Sequence, residues 1–291
     1  MNTPRFLVSR VECDDDHAHT AACRYRVVSK INPHMKVGAV DFQRARSQHR
    51  DFVSALRFCG AQVELLPFVH GCPDSVFMKD NAVVVDGPSG PRALLAAPRH
   101  AERTCEQEPR RRQLQQRHFQ VQRCSVGTFE GGDVVVTPRA AFFGVGDRSS
   151  SGAASVVSSF LQRSVQTLEL IDPAFFHLDT CLGVLDDGTA LVAEGALSKT
   201  SLAQLKRHPV VRDVVMIPRA DALQFGLNFV QIGDAVVLHA GAKDTARALR
   251  GLGKVPVTVE LSEFLLAGGS AACLVARLHE QRLSFEDAVA A

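Results

Sequence analysis

The chain has 291 residues, 46 % hydrophobic and 22 % charged, and its 33 basic and 31 acidic side chains leave a formal net charge of +2. This is ordinary globular composition, and it excludes a disordered chain, a coiled coil and a collagen-like fibre. The even balance offers no electrostatic footprint for nucleic acid or an anionic membrane, and with no Trp and one Tyr, Tyr25, base-stacking platforms are not expected either.

The N-terminal stretch MNTPRFLVSRVECDDD has one short apolar run followed by acid, unlike a signal peptide. No window reaches the roughly 18 apolar residues that would cross a membrane, so a cytoplasmic protein is expected. The cysteines are Cys13, Cys23, Cys59, Cys72, Cys105, Cys124, Cys181 and Cys273, and no two of them form a C-x-x-C pair. Free thiols in a reducing compartment are therefore the default, without a disulfide framework. A zinc site built from His17, His19 and the Cys13/Cys23 region lacks a second paired ligand set, so residues 12–25 read instead as a lid or loop over a site. No metal or cofactor is called for.

Further along, Arg44 to Gly60 places Phe52, Leu56 and Cys59 on one helical face, with Gly60 to terminate it. SGAASVVSSFLQR, SKTSLAQLKRH and KDTARALRGLG are shorter stretches of the same period, and Arg99 to Gln116 reads as an exposed helix that Pro109 breaks. Most are followed by a β-run: QVELLPF, FQVQRC, QTLELI, DVVMIP and VPVTVEL. Two-stranded hairpins are predicted from Asn81, Gly132, Gly183, Asn228 and Ala271, with Asp187-Gly188 and Gly233-Asp234 as turn residues in the third and fourth. The unit is helix, strand, hairpin, used about five times, which predicts an α/β fold closed into a five-module ring and one domain over residues 1–291. The alternative, an open doubly wound sheet, requires longer parallel strands than the sequence contains.

Reactive side chains recur at the hairpin starts. Asp74 and Asp80 precede the first, Glu130 precedes the second with Asp133 inside its strand, and His177 and Asp179 precede the third. Asn228 opens the fourth and Cys273 lies in the fifth. Singly, each has a plain structural explanation: Cys273 as small buried filler, His177 as a hydrogen-bonded core histidine, Glu130 and Asp80 as turn residues. At one recurring position in a ring they converge, and a thiol, an imidazole and carboxylates together form a catalytic constellation.

At these residues the sequence resembles the guanidine-modifying (pentein) superfamily, specifically dimethylarginine dimethylaminohydrolase and arginine deiminase. The likeness runs through INPHM, DSVFMKD, FEGGDVVVT, GDRSS, HLDT and GGSAAC, in that order over nearly the whole chain. It implies a five-module α/β propeller and a C–N hydrolase with a small-molecule guanidine substrate. Cys273 would be the nucleophile, His177 the general acid and base, and Glu130 the carboxylate orienting that histidine. Asp80 would grip the guanidinium, with Asp74 nearby, and Arg103 and Arg148 would lie near the substrate carboxylate.

Two residues depart from the dimethylarginine pattern. Lys79 stands where those enzymes carry an acid, and Asp179 resembles the second guanidinium-binding aspartate of deiminases and amidinotransferases. An arginine deiminase, a dihydrolase forming ornithine and an amidinotransferase are thus alternatives within the class; a non-catalytic propeller scaffold is the alternative outside it. A homodimer is compatible with the sequence.

Overall fold

A computed structural model describes residues 3–14 and 20–280. Its strands, in chain order, are β1 (Arg5–Ser9), β2 (Gln62–Leu66), β3 (Ala82–Gly87), β4 (Gly90–Leu95), β5 (Gln120–Arg123), β6 (Val134–Val136), β7 (Ala141–Val145), β8 (Gln166–Glu169), β9 (Leu182–Val184) and β10 (Thr189–Ala193). They continue as β11 (Asp213–Ile217), β12 (Val230–Ile232), β13 (Ala235–His239), β14 (Val255–Val259) and β15 (Val275–Glu280).

Four of the predicted hairpins are antiparallel pairs: β3 with β4, β6 with β7, β9 with β10, and β12 with β13. In the last two turns Gly188 and Gly233 adopt φ of 90° and 60°, left-handed backbone that glycine reaches without steric penalty. After each pair a helix crosses over and a third strand adds in parallel to the second. The helices are Gln107–Gln115, Ala153–Leu161, Lys199–Arg207 and Lys243–Gly251, and the strands they deliver are β5, β8, β11 and β14. A parallel neighbour cannot be reached by a tight turn, so the crossover helix is a topological requirement.

The fifth hairpin is assembled differently from the expectation. β15 takes β1 as its antiparallel partner, Phe6 opposite Arg277 and Val8 opposite Val275, and β1 pairs in parallel with β2 after the helix Phe42–Phe58. Phe6, Leu7 and Val8 are all buried, so the N-terminal apolar run supplies the pairing surface that β15 uses. The predicted return strand, residues 281–285, lies outside the described residues. β15 also pairs in parallel with β3, giving a six-stranded sheet of order β2-β1-β15-β3-β4-β5 beside three three-stranded sheets. The result is a mixed α/β fold whose described sheets do not close into one hydrogen-bonded ring.

The first strand of each pair faces a common centre. Val84, Val134, Leu182, Val230 and Val275, from β3, β6, β9, β12 and β15, line one cavity of about 110 Å³. Helices lie outside: Phe52 and Leu56 are buried in a core with Phe6, Val8 and Phe264.

Three further expectations are corrected or bounded. The stretch from Arg99 breaks between the helices Ala101–Thr104 and Gln107–Gln115, so Pro109 sits in a first turn, where its missing N–H is tolerated. Nor is that stretch simply exposed, since Arg103, Glu106 and Arg110 are buried. Cys72 and Cys105 form a disulfide with a Cα–Cα separation of 6.1 Å, contrary to the free thiols expected for all eight, because the fold joins two segments that no local spacing relates. Around the proposed lid, Glu12 bridges to Arg24 and the Cys13 N–H donates to the Cys23 carbonyl at 2.8 Å; residues 15–19, including His17 and His19, lie outside the described residues. No helix among the described residues is long and apolar enough to cross a membrane.

Candidate active site

The side chains singled out from the sequence lie at the entrances to the central strands. A helical turn, Met78–Asn81, carries Asp80 into β3. The 3₁₀ turns Gly131–Asp133 and Leu178–Thr180 lead into β6 and β9, with Glu130 and His177 immediately before them and Asp179 within the second. Asn228 precedes β12 and Cys273 precedes β15. All six side chains are buried. The close approach explains the Gly131-Gly132 pair: a Cβ on Gly131 would lie 1.9 Å from the Lys79 carbonyl oxygen, and one on Gly132 would lie 2.4 Å from His177 Nδ1.

A chain of charged contacts links these residues. His177 Nε2 is 3.2 Å from Glu130 Oε2, and its Nδ1 is 3.5 Å from Asp80 Oδ1. Arg148 Nη1 donates to both Glu130 oxygens at 3.1 Å, while its Nη2 donates to the Ile31 carbonyl at 2.7 Å and its guanidinium lies over the Phe176 ring. Arg103 donates to Asp80 Oδ2 at 3.1 Å and grips Glu106 with Nε and Nη2 at 2.6 and 3.0 Å. On the other side, the Cys273 thiol lies 3.8 Å from Asp179 Oδ2, which Lys79 Nζ contacts at 3.0 Å.

Cys273, Asp80, Asp74, Arg103 and Arg148 line one small cleft with Asn32, Phe176 and Gly268. It is closed down to about 10 Å³, near the volume that holds one water. Arg103 occupies Oδ2 of Asp80, whereas Oδ1 is buried without a hydrogen-bond donor among the described residues.

The electrostatics divide the cluster. Burial of His177 opposes its charged form, yet Asp80, Asp133 and Glu130 outweigh burial and raise its pKa to about 9. Burial pushes Glu130 upward, but His177, Arg148 and Arg103 together hold it far below the carboxylate range. Burial drives Cys273 well above the usual thiol value, and Asp179 and Asp80 add to the rise. Asp74 and Asp133 are each raised by burial to about 7. The free site thus holds a cationic imidazole and a protonated thiol. One oxygen or nitrogen each of Asp80, Glu130 and His177 lie within 4.8 Å of one another and could converge on a metal ion, although Arg148 already engages both oxygens of Glu130 and Arg103 one oxygen of Asp80.

Three participants have roles that the sequence conceals. Asp133 accepts the Leu178 N–H at 2.9 Å and the Ser149 hydroxyl at 2.7 Å, and Ser149 Oγ accepts the Glu130 N–H at 3.2 Å. It therefore ties together the segments bearing His177, Glu130 and Arg148. Glu106 anchors Arg103, and Asn228 contacts the thiol itself. Asn228 did mark a hairpin start, but an amide there carries no chemical signal until its neighbours are known.

A buried thiol, an imidazolium and carboxylates at the ends of central strands define a class of protein, and comparison with known chains gives the family. Residues 31–280 match the model for N,N dimethylarginine dimethylhydrolase, eukaryotic. The N(G),N(G)-dimethylarginine dimethylaminohydrolase of Mycobacterium tuberculosis is 33 % identical over 273 residues, covering 90 % of this chain and 85 % of that one. The bifunctional arginine dihydrolase/ornithine cyclodeaminase AgrE of Nostoc sp. is 29 % identical over 95 % of this chain and only 38 % of its own length. Among solved structures, the N-terminal domain of ArgZ, an arginine dihydrolase from Cyanobacteria bound to product, superposes with a TM-score of 0.84 at 27 % identity, covering 96 % of this chain and 98 % of that domain. The chain belongs to the dimethylarginine dimethylhydrolase family.

Proposed function

We propose that the chain hydrolyses the guanidinium C–N bond of arginine or an N-methylated arginine, forming citrulline and an amine or ammonia through a covalent amidino-enzyme intermediate. The observation that carries this is the convergence of the Cys273 thiol, His177 and the carboxylates of Asp80 and Asp179 at the ends of neighbouring central strands. A guanidinium is planar and delocalised, so catalysis has to hold it in place and make a nitrogen leave. Asp80, with Asp179, would accept its N–H groups and fix its plane. Its positive charge offsets the carboxylates that keep Cys273 protonated, the thiol proton passes to solvent as the guanidinium docks, and the thiolate then attacks the guanidinium carbon. His177, already protonated, gives its proton to the departing amine; neutral, it takes one from the water that attacks the intermediate and releases the thiolate. Glu130 keeps that imidazole charged and oriented. Asp74 would add a polar contact beside Asp80, and Arg103 and Arg148, which line the same cleft, would hold the substrate carboxylate, Arg148 from its place on Glu130. We read the five strand groups about the central cavity as modules of an α/β propeller, and residues 1–291 as one domain. A cytoplasmic setting is proposed from the sequence, with the Cys72–Cys105 disulfide standing against a reducing one, and the proposed oligomer is a homodimer, tested by its mass in solution.

A second reading, arginine dihydrolase, is favoured by Asp179. A carboxylate 3.8 Å from the sulfur rewards a nitrogen that still has an N–H to donate, and a dimethylated nitrogen has none. Incubation with arginine, monomethylarginine and asymmetric dimethylarginine, with mass-spectrometric product analysis, separates the cases. Citrulline from methylated substrates supports the first reading and ornithine from arginine the second. No product from any of the three would refute both.

A further inference from the structure

Asn228 grips the reacting cysteine at two points. Its Oδ1 accepts the backbone N–H of Cys273 at 3.1 Å, and its Nδ2 donates to Cys273 Sγ at 3.1 Å and to the Asp179 carbonyl oxygen at 3.2 Å. Its own carbonyl accepts the Ala272 N–H at 3.2 Å, and the residue is fully buried. These partners settle which way the amide points. With oxygen and nitrogen exchanged, a carbonyl oxygen would face the Asp179 carbonyl, and an NH₂ would face the N–H of Cys273, so attractive contacts would become repulsive. The fold therefore aims an N–H at the sulfur before any ligand arrives.

The other neighbours of the sulfur make that donor consequential. Asp179 Oδ2 lies 3.8 Å away and works against a negative sulfur, and the nearby cation, Lys79, is already paired with Asp179 at 3.0 Å. A fixed neutral donor stabilises a thiolate without adding a charge that would repel a cationic substrate.

We infer that Asn228 is a catalytic residue of this site, its side-chain amide holding Cys273 Sγ in place and donating to the thiolate in both halves of the reaction. The inference rests on Cys273 being the nucleophile proposed above. In the first half, a lone pair of the thiolate other than the one that accepts the Asn228 N–H forms the S–C bond, a guanidinium C–N bond breaks, and its electron pair leaves with the amine, which takes a proton from His177. In the second half, water adds to the carbon, His177 accepts its proton, and the S–C pair returns to sulfur, giving a thiolate that again accepts the Asn228 N–H.

Iodoacetamide alkylation tests this without the natural substrate, since it needs only the thiolate. Wild type, Asn228→Ala and Asn228→Asp would be alkylated from about pH 6 to 11 and the Cys273 peptide followed by mass spectrometry, with half-buried Cys124 as the reference thiol. Asn228→Asp keeps the shape and the acceptor for the Cys273 N–H but replaces the donor. Both variants are expected to move the rise in Cys273 alkylation to higher pH with Cys124 unmoved. Both should also lower kcat about 10- to 100-fold at nearly constant KM on whichever guanidine the wild type turns over. An unshifted rise in both variants, or an unchanged kcat in Asn228→Asp, overturns the inference. A shifted rise in a protein that turns over no arginine supports the role of Asn228 while contradicting the substrate reading.

Discussion

The His177 arm and the Cys273 arm of the site are equally buried, and both face Asp80, yet the same surroundings act on them in opposite senses. Around His177 three carboxylates overcome the penalty of burying a cation, so the imidazole stays protonated up to about pH 9. Around Cys273 the carboxylates and burial act together, so the thiol keeps its proton. The difference teaches that one set of carboxylates favours the charged form of an imidazole and disfavours that of a thiol, so the sign of a group's own charged form decides whether its neighbours oppose burial or reinforce it. A carboxylate-rich site of this kind holds an acid ready for the leaving amine and withholds its nucleophile until a cation arrives. A guanidinium docked on Asp80 and Asp179 would offset the charges that act on both arms, releasing the thiolate and loosening the proton on His177 at once.

The comparison can be broken most severely on the cysteine side. Cys273→Ser should reduce product formation by about 10⁴-fold or more, because the covalent route is lost, with the product measured by mass spectrometry. Activity near that of wild type would remove the thiol from the account. Next in size, His177→Ala should cost about 10²- to 10⁴-fold in kcat. A leaving group that needs no proton should recover much of that loss, and unequal recovery between substrates with good and poor leaving groups is the diagnostic measurement.

A smaller effect is expected at Asp133, which supports the histidine arm without lining the cleft. Asp133→Asn should lower kcat roughly 10- to 100-fold with little change in KM, as loss of an orienting partner usually does. It should also move the histidine-linked limb of the pH–rate profile to lower pH, since one carboxylate holding the proton is gone; a limb that stays in place would assign Asp133 a purely structural part. The smallest effect concerns stability. A histidine raised from 6.5 to about 9 on folding adds stability that is fully present below pH 6.5 and is lost as the pH rises through 9. The decline in melting temperature across that window should therefore shrink in His177→Gln, and an identical decline in both proteins would show that the native imidazole is not cationic.

Local features of this fold were legible from sequence, and long-range ones were not. The hairpins at Asn81, Gly132, Gly183 and Asn228 announce themselves by period and turn chemistry, because both strands and the turn lie in one short window. The fifth pair joins β15 to β1 from the far end of the chain, and no window contains both. The same limit hid the bond between Cys72 and Cys105 and the burial of Arg103 by Glu106 and Asp80 within a stretch whose composition reads as exposed. In the site, Cys273, His177, Glu130, Asp80 and Asp179 stood out because thiol, imidazole and carboxylate are rarely placed together without a reason. Asp133 and Asn228 act through hydrogen bonds whose partners appear only in three dimensions.

The most direct measurement of the central claim is to quench turnover with acid within its first cycles and weigh the intact protein, then map the modified peptide. An adduct of the mass of the substrate-derived amidino group on Cys273, absent from Cys273→Ser, is the predicted result. Product released with no adduct on Cys273 at any time, or an adduct on a different residue, would contradict covalent catalysis by this thiol.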